Sequence, residues 1–215
     1  MPLTRRSERS ERAPYHHGDL RRTLVDAALA LLAETQQWDF SLREVARRAG
    51  VSHNAPYSHF ADKRDLLAAV ATAGFETLRA RMLAASIGTN SPADALAAIG
   101  LAYVRFGAEN PAHYRLMFGS ILETMDGGSS TAVIAAAAAS RALLSGVILQ
   151  GAENGAFKVA QNDQVALAAA VLAAWSLVHG LTMLYIDGLA AAETSLELPQ
   201  LAEMVSRIFM YGLAA

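Results

Sequence analysis

Between positions 41 and 63 the 215-residue chain gathers Ser41, His53, Asn54, Ala55, Tyr57, Ser58, His59 and Lys63. None of them is a nucleophile set beside a base. They are small, polar or basic groups suited to hydrogen bonding on an exposed face. A helix that enters the major groove of DNA, about 12 Å wide, must carry such a face. On it Asn54 could pair bidentately with adenine, His53 could bond a base edge or a phosphate, and Ala55 could meet a thymine methyl. Tyr57 and Ser58 would share that face. Contacts from Ser41, Tyr57, His59 and Lys63 to phosphates would set position without reading sequence.

Other chemistries lack residues. Cysteine is absent, which removes disulfides, thiolate metal sites and thiol nucleophiles together. There is no Gly-x-Ser-x-Gly elbow, no phosphate-binding glycine loop and no carboxylate–histidine group at metal-ligand spacing. His16-His17 reads as part of a flexible arm rather than a zinc site. The chain is therefore read as non-enzymatic, with no catalytic residue, no cofactor and no metal.

The elements that must position the groove face are legible nearby. Leu20, Leu24, Ala27, Ala28, Leu31 and Leu32 fall on one helical face and predict a first helix over 19–35. Ser41-Leu42-Arg43-Glu44 is a capping box, in which serine and glutamate reciprocally satisfy backbone amides at a helix start. The second helix runs to Ala49, burying Leu42, Val45, Ala46 and Ala49, and Gly50 ends it. Ser52 is a suitable N-cap for a third, short helix over 53–59, with Pro56 in or just beyond its first turn. Val51 and Phe60 anchor that helix to the core. Asp62 caps a fourth helix, running to about 85, that carries Leu66, Leu67, Val70, Ala71, Phe75 and Leu78.

Two short helices joined by a glycine-containing turn match a helix-turn-helix unit. The stretch 86–92, with Gly88, Asn90 and Pro92, separates this part from further helices over 92–109, 111–118, 130–154, 163–186 and 198–211. No strand-like alternation occurs, so the fold class is all-α: an N-terminal three-helix domain joined by a bridging helix to a second helical domain. The expected organisation is a flexible basic arm over 1–17, a DNA-binding domain over 18–70, and a ligand-binding and dimerisation domain over 71–215.

Charge follows the same division. Net charge is −2, but residues 1–87 hold 13 Lys+Arg against 10 Asp+Glu, and residues 88–215 hold 5 against 10. A cationic end beside an acidic remainder suits a polyanion-binding head. The N-terminus has no secretory pattern, since Arg5, Arg6, Arg9 and Arg12 precede no apolar stretch, and a cytoplasmic location is expected. Residues 165–186 lack Asp, Glu, Lys and Arg and are long enough to span a bilayer. They are alanine-rich, contain Ser176, His179 and Thr182, and lack flanking basic clusters, so they read as a buried or subunit-interface helix.

Taken together, residues 41–52 (SLREVARRAGVS), 53–60 (HNAPYSHF) and 62–67 (DKRDLL), following the first helix, resemble the DNA-binding domain of the tetracycline-repressor (TetR) family over about 18–70. The resemblance implies that Arg43 reaches a base from the second helix. It also implies that Ser41, Tyr57, His59 and Lys63 touch phosphates while His53, Asn54 and Ala55 face bases. Two features depart from it: Gln36-Gln37 stand where a glycine usually closes the first helix, and Pro56 is unusual for the wider family but resembles a subset with an Ala-Pro-Tyr recognition helix. Residues 110–118 (NPAHYRLMF) with Trp175, His179 and Gly180 are similar to the TetR subclass named for a Trp-His-Gly (WHG) C-terminal domain.

That similarity implies a sequence-specific transcriptional regulator: a repressor of a two-fold DNA operator, released by an unidentified small-molecule effector. The alternative is a constitutive or architectural DNA-binding protein of the same fold. A single short recognition helix reads few base pairs, which favours a homodimer, with helices near 163–186 and 198–211 as its surface. Candidate effector-pocket residues are Tyr103, Phe106, His113, Tyr114, Met117, Phe118, Trp175, His179 and Met183, aromatic and polar groups among many alanines.

Overall fold

A computed structural model describes residues 17–120, 122 and 130–213; the expected basic arm, apart from His17, lies outside them. Among the described residues the chain is nearly all helix, without a β-strand. The first helix, α1 (His17–Thr35), buries Leu24, Ala28 and Leu32 almost completely. It ends at Gln36, whose φ of 56° is the left-handed conformation that favours glycine. There the Gln36 amide bonds the Leu32 carbonyl at 2.9 Å, and its own Nε2 donates to the Ala33 carbonyl at 2.8 Å. A side-chain hydrogen bond thus closes a helix that glycine closes elsewhere in the family it resembles.

Helix α2 (Leu42–Arg48) starts on the expected capping box. Ser41 Oγ accepts from the Glu44 amide at 3.2 Å, and Glu44 Oε2 accepts from the Ser41 amide at 2.6 Å. Gly50, at φ 69°, ends it, with Val51 N–H on the Ala46 carbonyl and Gly50 N–H on that of Arg47, the pairing of a glycine-terminated helix.

The expected third helix over 53–59 is instead a single 3-10 turn, Ala55–Ser58. Pro56 supplies the reason. It has no N–H to return to the Ser52 carbonyl, and it disfavours the helical region for Ala55 before it. The Ser52 carbonyl accepts from Ala55 at 2.9 Å instead, and His59 N–H returns to Pro56 at 2.9 Å. The whole segment is therefore wound in three-residue steps.

Helix α3 (Lys63–Ser86) begins where Asp62 Oδ1 accepts from the Asp65 amide at 2.8 Å. Its 24 residues bury Leu66, Leu67, Val70, Ala71, Phe75 and Leu78. Behind it follow α4 (Pro92–Glu109), α5 (Pro111–Phe118), α6 (Thr131–Glu153), α7 (Gln164–Ile186), a four-residue α8 (Ala190–Glu193) and α9 (Leu198–Leu213). The sequence reading contains all of these except α8.

Helix α3 is the axis of the molecule. It packs on α1 at its start and on α4, α5 and α6 further along, while α7 and α9 lie against α4. At Gly74 a Cβ would sit 2.5 Å from His113 Nε2. Its absence lets that nitrogen reach the Val70 carbonyl at 2.8 Å and seat α5 on α3. Helices α6 and α7 are both long and apolar enough to cross a bilayer by length and composition, and most of each apolar stretch is not buried within the chain.

Candidate functional site

The residues between α2 and α3 are divided by burial. Pro56 and Phe60 are buried, with Val51 half-buried beside them, and the Arg21 guanidinium lies 5.2 Å from the centre of the Phe60 ring. These groups fasten the turn from below. Above it Ser41, Arg43, His53, Asn54, Tyr57 and Ser58 are exposed, while Ala55, His59 and Lys63 are half-buried.

Their hydrogen-bonding capacity differs. Ser58 Oγ donates to the Ala55 carbonyl at 2.7 Å, and Ser41 Oγ is engaged with Glu44. The Lys63 ammonium lies 5.8 Å from the Phe40 ring centre. The side chains of Arg43, His53, Asn54, Tyr57 and His59 make no hydrogen bond or ion pair among the described residues. By contrast Arg48, on the same short helix as Arg43, is held by Glu34, with Nη1 2.7 Å from Oε2. Five side chains with unspent donors and acceptors, standing on a rigid buried base, can meet the edges and phosphates of a duplex without first breaking an internal bond.

The candidate pocket residues do not line one space. Tyr103 and Trp175 face an apolar cavity between α3, α4, α6, α7 and α9, whose walls include Phe75, Leu78, Ile99 and Phe209. His179 and Met183 line a second cleft with Trp38, Arg115 and Phe118. Trp38 belongs to the α1–α2 connection, so that cleft sits between the DNA-binding head and the helices behind it. Phe118 borders both spaces. His113 borders a third, with Leu29, Phe106 and Glu109. Tyr114 and Met117 are buried in the core.

A hydrogen-bonded group joins the first two spaces. Trp175 Nε1 donates to the Tyr103 hydroxyl at 3.2 Å, and the Tyr114 hydroxyl lies 2.9 Å from that of Tyr103. His179 Nδ1 lies 2.6 Å from the Tyr114 hydroxyl. Burial pushes the Tyr103 phenol up to about 12 and raises that of Tyr114 as well, so both stay neutral. Burial lowers the pKa of His179 and of His113, favouring neutral imidazoles. The rings of Tyr114 and His179 also stack, 5.5 Å between centres. This is a fixed polar cluster whose members satisfy one another.

Sequence reasoning passed over Arg141, which stands at the edge of the first cavity with its guanidinium 5.9 Å from the Trp175 ring centre. One signal was available: Arg141 is the sole charged residue between positions 131 and 152. Trp38 was also missed, and nothing in its neighbours marks it, since its contacts come from residues about 80 and 140 positions away.

Comparison with known proteins agrees with this geometry. Residues 24–70 match the model of bacterial regulatory proteins, tetR family, and residues 96–208 match the tetracyclin repressor-like C-terminal domain. The Trp-His-Gly subclass expected from residues 110–118 and 175–180 is not shown by this match. No curated protein matches the sequence.

Among solved structures, a protein of unknown function from Rhodococcus sp. RHA1 is 30% identical, with 95% of this chain and 100% of that one covered and a TM-score of 0.81. A tetR-family regulatory protein from Rhodococcus RHA1 is 21% identical, covering 91% and 97%, with a TM-score of 0.67. The TetR family regulator PfmR from Thermus thermophilus is 21% identical, covering 89% and 99%, at 0.64. The chain belongs to the TetR family of transcriptional regulators, DNA-binding proteins with an N-terminal helix-turn-helix and a helical domain behind it.

Proposed function

We propose that this protein is a homodimeric, cytoplasmic repressor that leaves its operator when a small molecule enters the helical domain. The observation that carries the reading is the unspent face on the head. Arg43, His53, Asn54 and Ala55 would meet base edges, while Ser41, Tyr57, Ser58, His59 and Lys63 would hold phosphates or flank the groove. The DNA-binding domain spans 18–70 and the effector and dimerisation domain 71–215, with α3 bridging the two.

Apolar surface supports the dimer. On α7, Val165, Ala169, Leu172, Ser176, Gly180 and Leu184 recur at helical spacing, and their apolar members Val165, Leu172 and Leu184 are exposed. On α9, Met204, Ile208 and Tyr211 share one face and are 50%, 68% and 75% exposed. An apolar, self-complementary face is what a two-fold interface requires, and a partner there would cover α7. The polar cluster supports the release step. It runs from the cavity at Trp175 and Tyr103 to His179, which borders the cleft at Trp38, so a ligand that prefers one arrangement of these groups biases the seat of the head.

Mobility-shift titration against DNA flanking the protein's own gene tests this reading. One fragment is expected to bind specifically, as a dimer-sized complex, with affinity falling as salt rises. Asn54→Ala should lose preference at a single base pair, worth about 1–3 kcal/mol. Lys63→Ala should weaken all sequences alike and reduce the salt slope by about 1. Failure to find any specific fragment would count against regulation and favour an architectural role.

A further inference from the structure

We propose that the cavity between α3, α4, α6, α7 and α9 selects a carboxylate carried on an apolar body, with Arg141 as the group that holds the carboxylate. The proposal rests on the effector reading above and specifies the class of molecule.

The walls leave one place for a charge. Among the described residues Arg141 is the sole charged one lining the cavity, and no Asp or Glu of theirs faces it. The other polar groups there are mostly spent. Tyr103 and Trp175 bond each other, and Ser140 Oγ donates to the Phe75 and Ala136 carbonyls at 3.0 and 3.1 Å. Ser206 alone keeps a hydroxyl without a partner among the described residues. A guest rich in hydroxyls or amides would leave its groups unsatisfied against these walls, so the body must be apolar.

Arg141, like Arg79 and Arg105, holds no carboxylate among the described residues. Arg81, Arg115 and Arg207 each hold a carboxylate, of Glu109, Asp187 and Glu203. Arg141 holds only the face of Trp175. Stacking on an aromatic plane fixes a guanidinium while leaving its edge N–H groups directed outward, in the fork geometry that matches a carboxylate. The lining positions span two turns on each of three helices: Phe75 to Met82 on α3, Leu96 to Tyr103 on α4 and Ala137 to Leu144 on α6. Seven residues of helix rise about 10 Å, the length along which a slim unbranched chain would lie, and because the enclosed space is small its entry must spread these helices.

Decanoate, decanol and decylamine, titrated calorimetrically into the full chain, separate the possibilities. In a Trp38→Phe background Trp175 is the remaining indole of the two in the sequence, and its quenching reports occupancy of this cavity. Decanoate is expected to bind about two- to fivefold more tightly than decanol, as an ion pair to an exposed guanidinium predicts, with decylamine weakest. Arg141→Gln should erase the preference with the fold intact, because Arg141 is exposed; Arg141→Lys should keep part of it. Equal affinity for decanoate and decanol, or a preference that survives Arg141→Gln, overturns the carboxylate assignment and leaves the effector reading standing. Binding by none of the three, with Trp175 fluorescence unmoved, overturns both.

Discussion

The head and the interior of the helical domain both concentrate polar side chains, and they treat them in opposite ways. On the head, Arg43, His53, Asn54, Tyr57 and His59 stand over a base of Pro56 and Phe60 with their hydrogen-bonding capacity unspent. In the interior, Trp175, Tyr103, Tyr114 and His179 spend theirs on one another. A buried polar group without a partner costs free energy, whereas an exposed one already has water. Unspent groups can therefore survive only at the surface, where a partner molecule replaces water. Substitution should accordingly reach binding first on the head and stability first in the interior.

The largest blow to this contrast falls under the head. Phe60→Ala removes its anchor and should destabilise the fold by about 3–5 kcal/mol, as for other buried phenylalanines. A urea titration measures it, and DNA binding should be lost with it. A much smaller cost would mean that Phe60 does not hold the turn.

Tyr114→Phe sharpens the interior side. It takes a partner from both Tyr103 and His179 and should cost about 1–2 kcal/mol, with operator affinity unchanged at temperatures where the variant is folded. The interior also predicts a pH dependence. His113 and His179 have pKa values lowered from 6.5 by burial. The unfolded chain therefore takes up protons near pH 6.5 that the folded chain resists. Stability is full above that pH and declines as pH falls through 6.5 towards the lower folded values. His179→Gln should flatten part of that decline in thermal melts between pH 8 and pH 5. An unchanged slope would assign it to other groups.

The smallest expected effect lies at the junction of head and helix. Gln36→Gly places the residue without a side-chain penalty at the left-handed end of α1 and should stabilise by about 0.5–1 kcal/mol, after the loss of its bond to the Ala33 carbonyl. A loss of stability on chemical denaturation would show that this hydrogen bond outweighs the backbone strain.

How much could be read in advance follows the same division. The capping box at Ser41, the stop at Gly50 and the start at Asp62 are interactions over three or four residues, and each lies in the structure where the spacing put it. The head's exposed residues were nameable because their neighbours in sequence are their neighbours in space. The one local misreading, a helix at 53–59 in place of a 3-10 turn, came from giving the Ser52 cap more weight than the missing N–H of Pro56.

The helical domain was legible only as a set of helices. Among the described residues the sequence by itself determined each of them apart from the four residues of α8, nearly all their limits and their apolar character, because periodicity and caps are local. It also singled out Tyr103, Tyr114, Trp175 and His179 as residues of interest. Only the tertiary structure decided that these four satisfy one another, that His113 seats α5 on α3, and that Arg141 and Trp38 border separate spaces. Apart from Tyr103 and Tyr114, which are 11 residues apart, those hydrogen bonds join positions 43 to 76 residues apart, and they depend on how α4, α5, α6 and α7 are rotated against α3. Among so many alanines, several rotations present a similar apolar face, and side-chain packing selects among them.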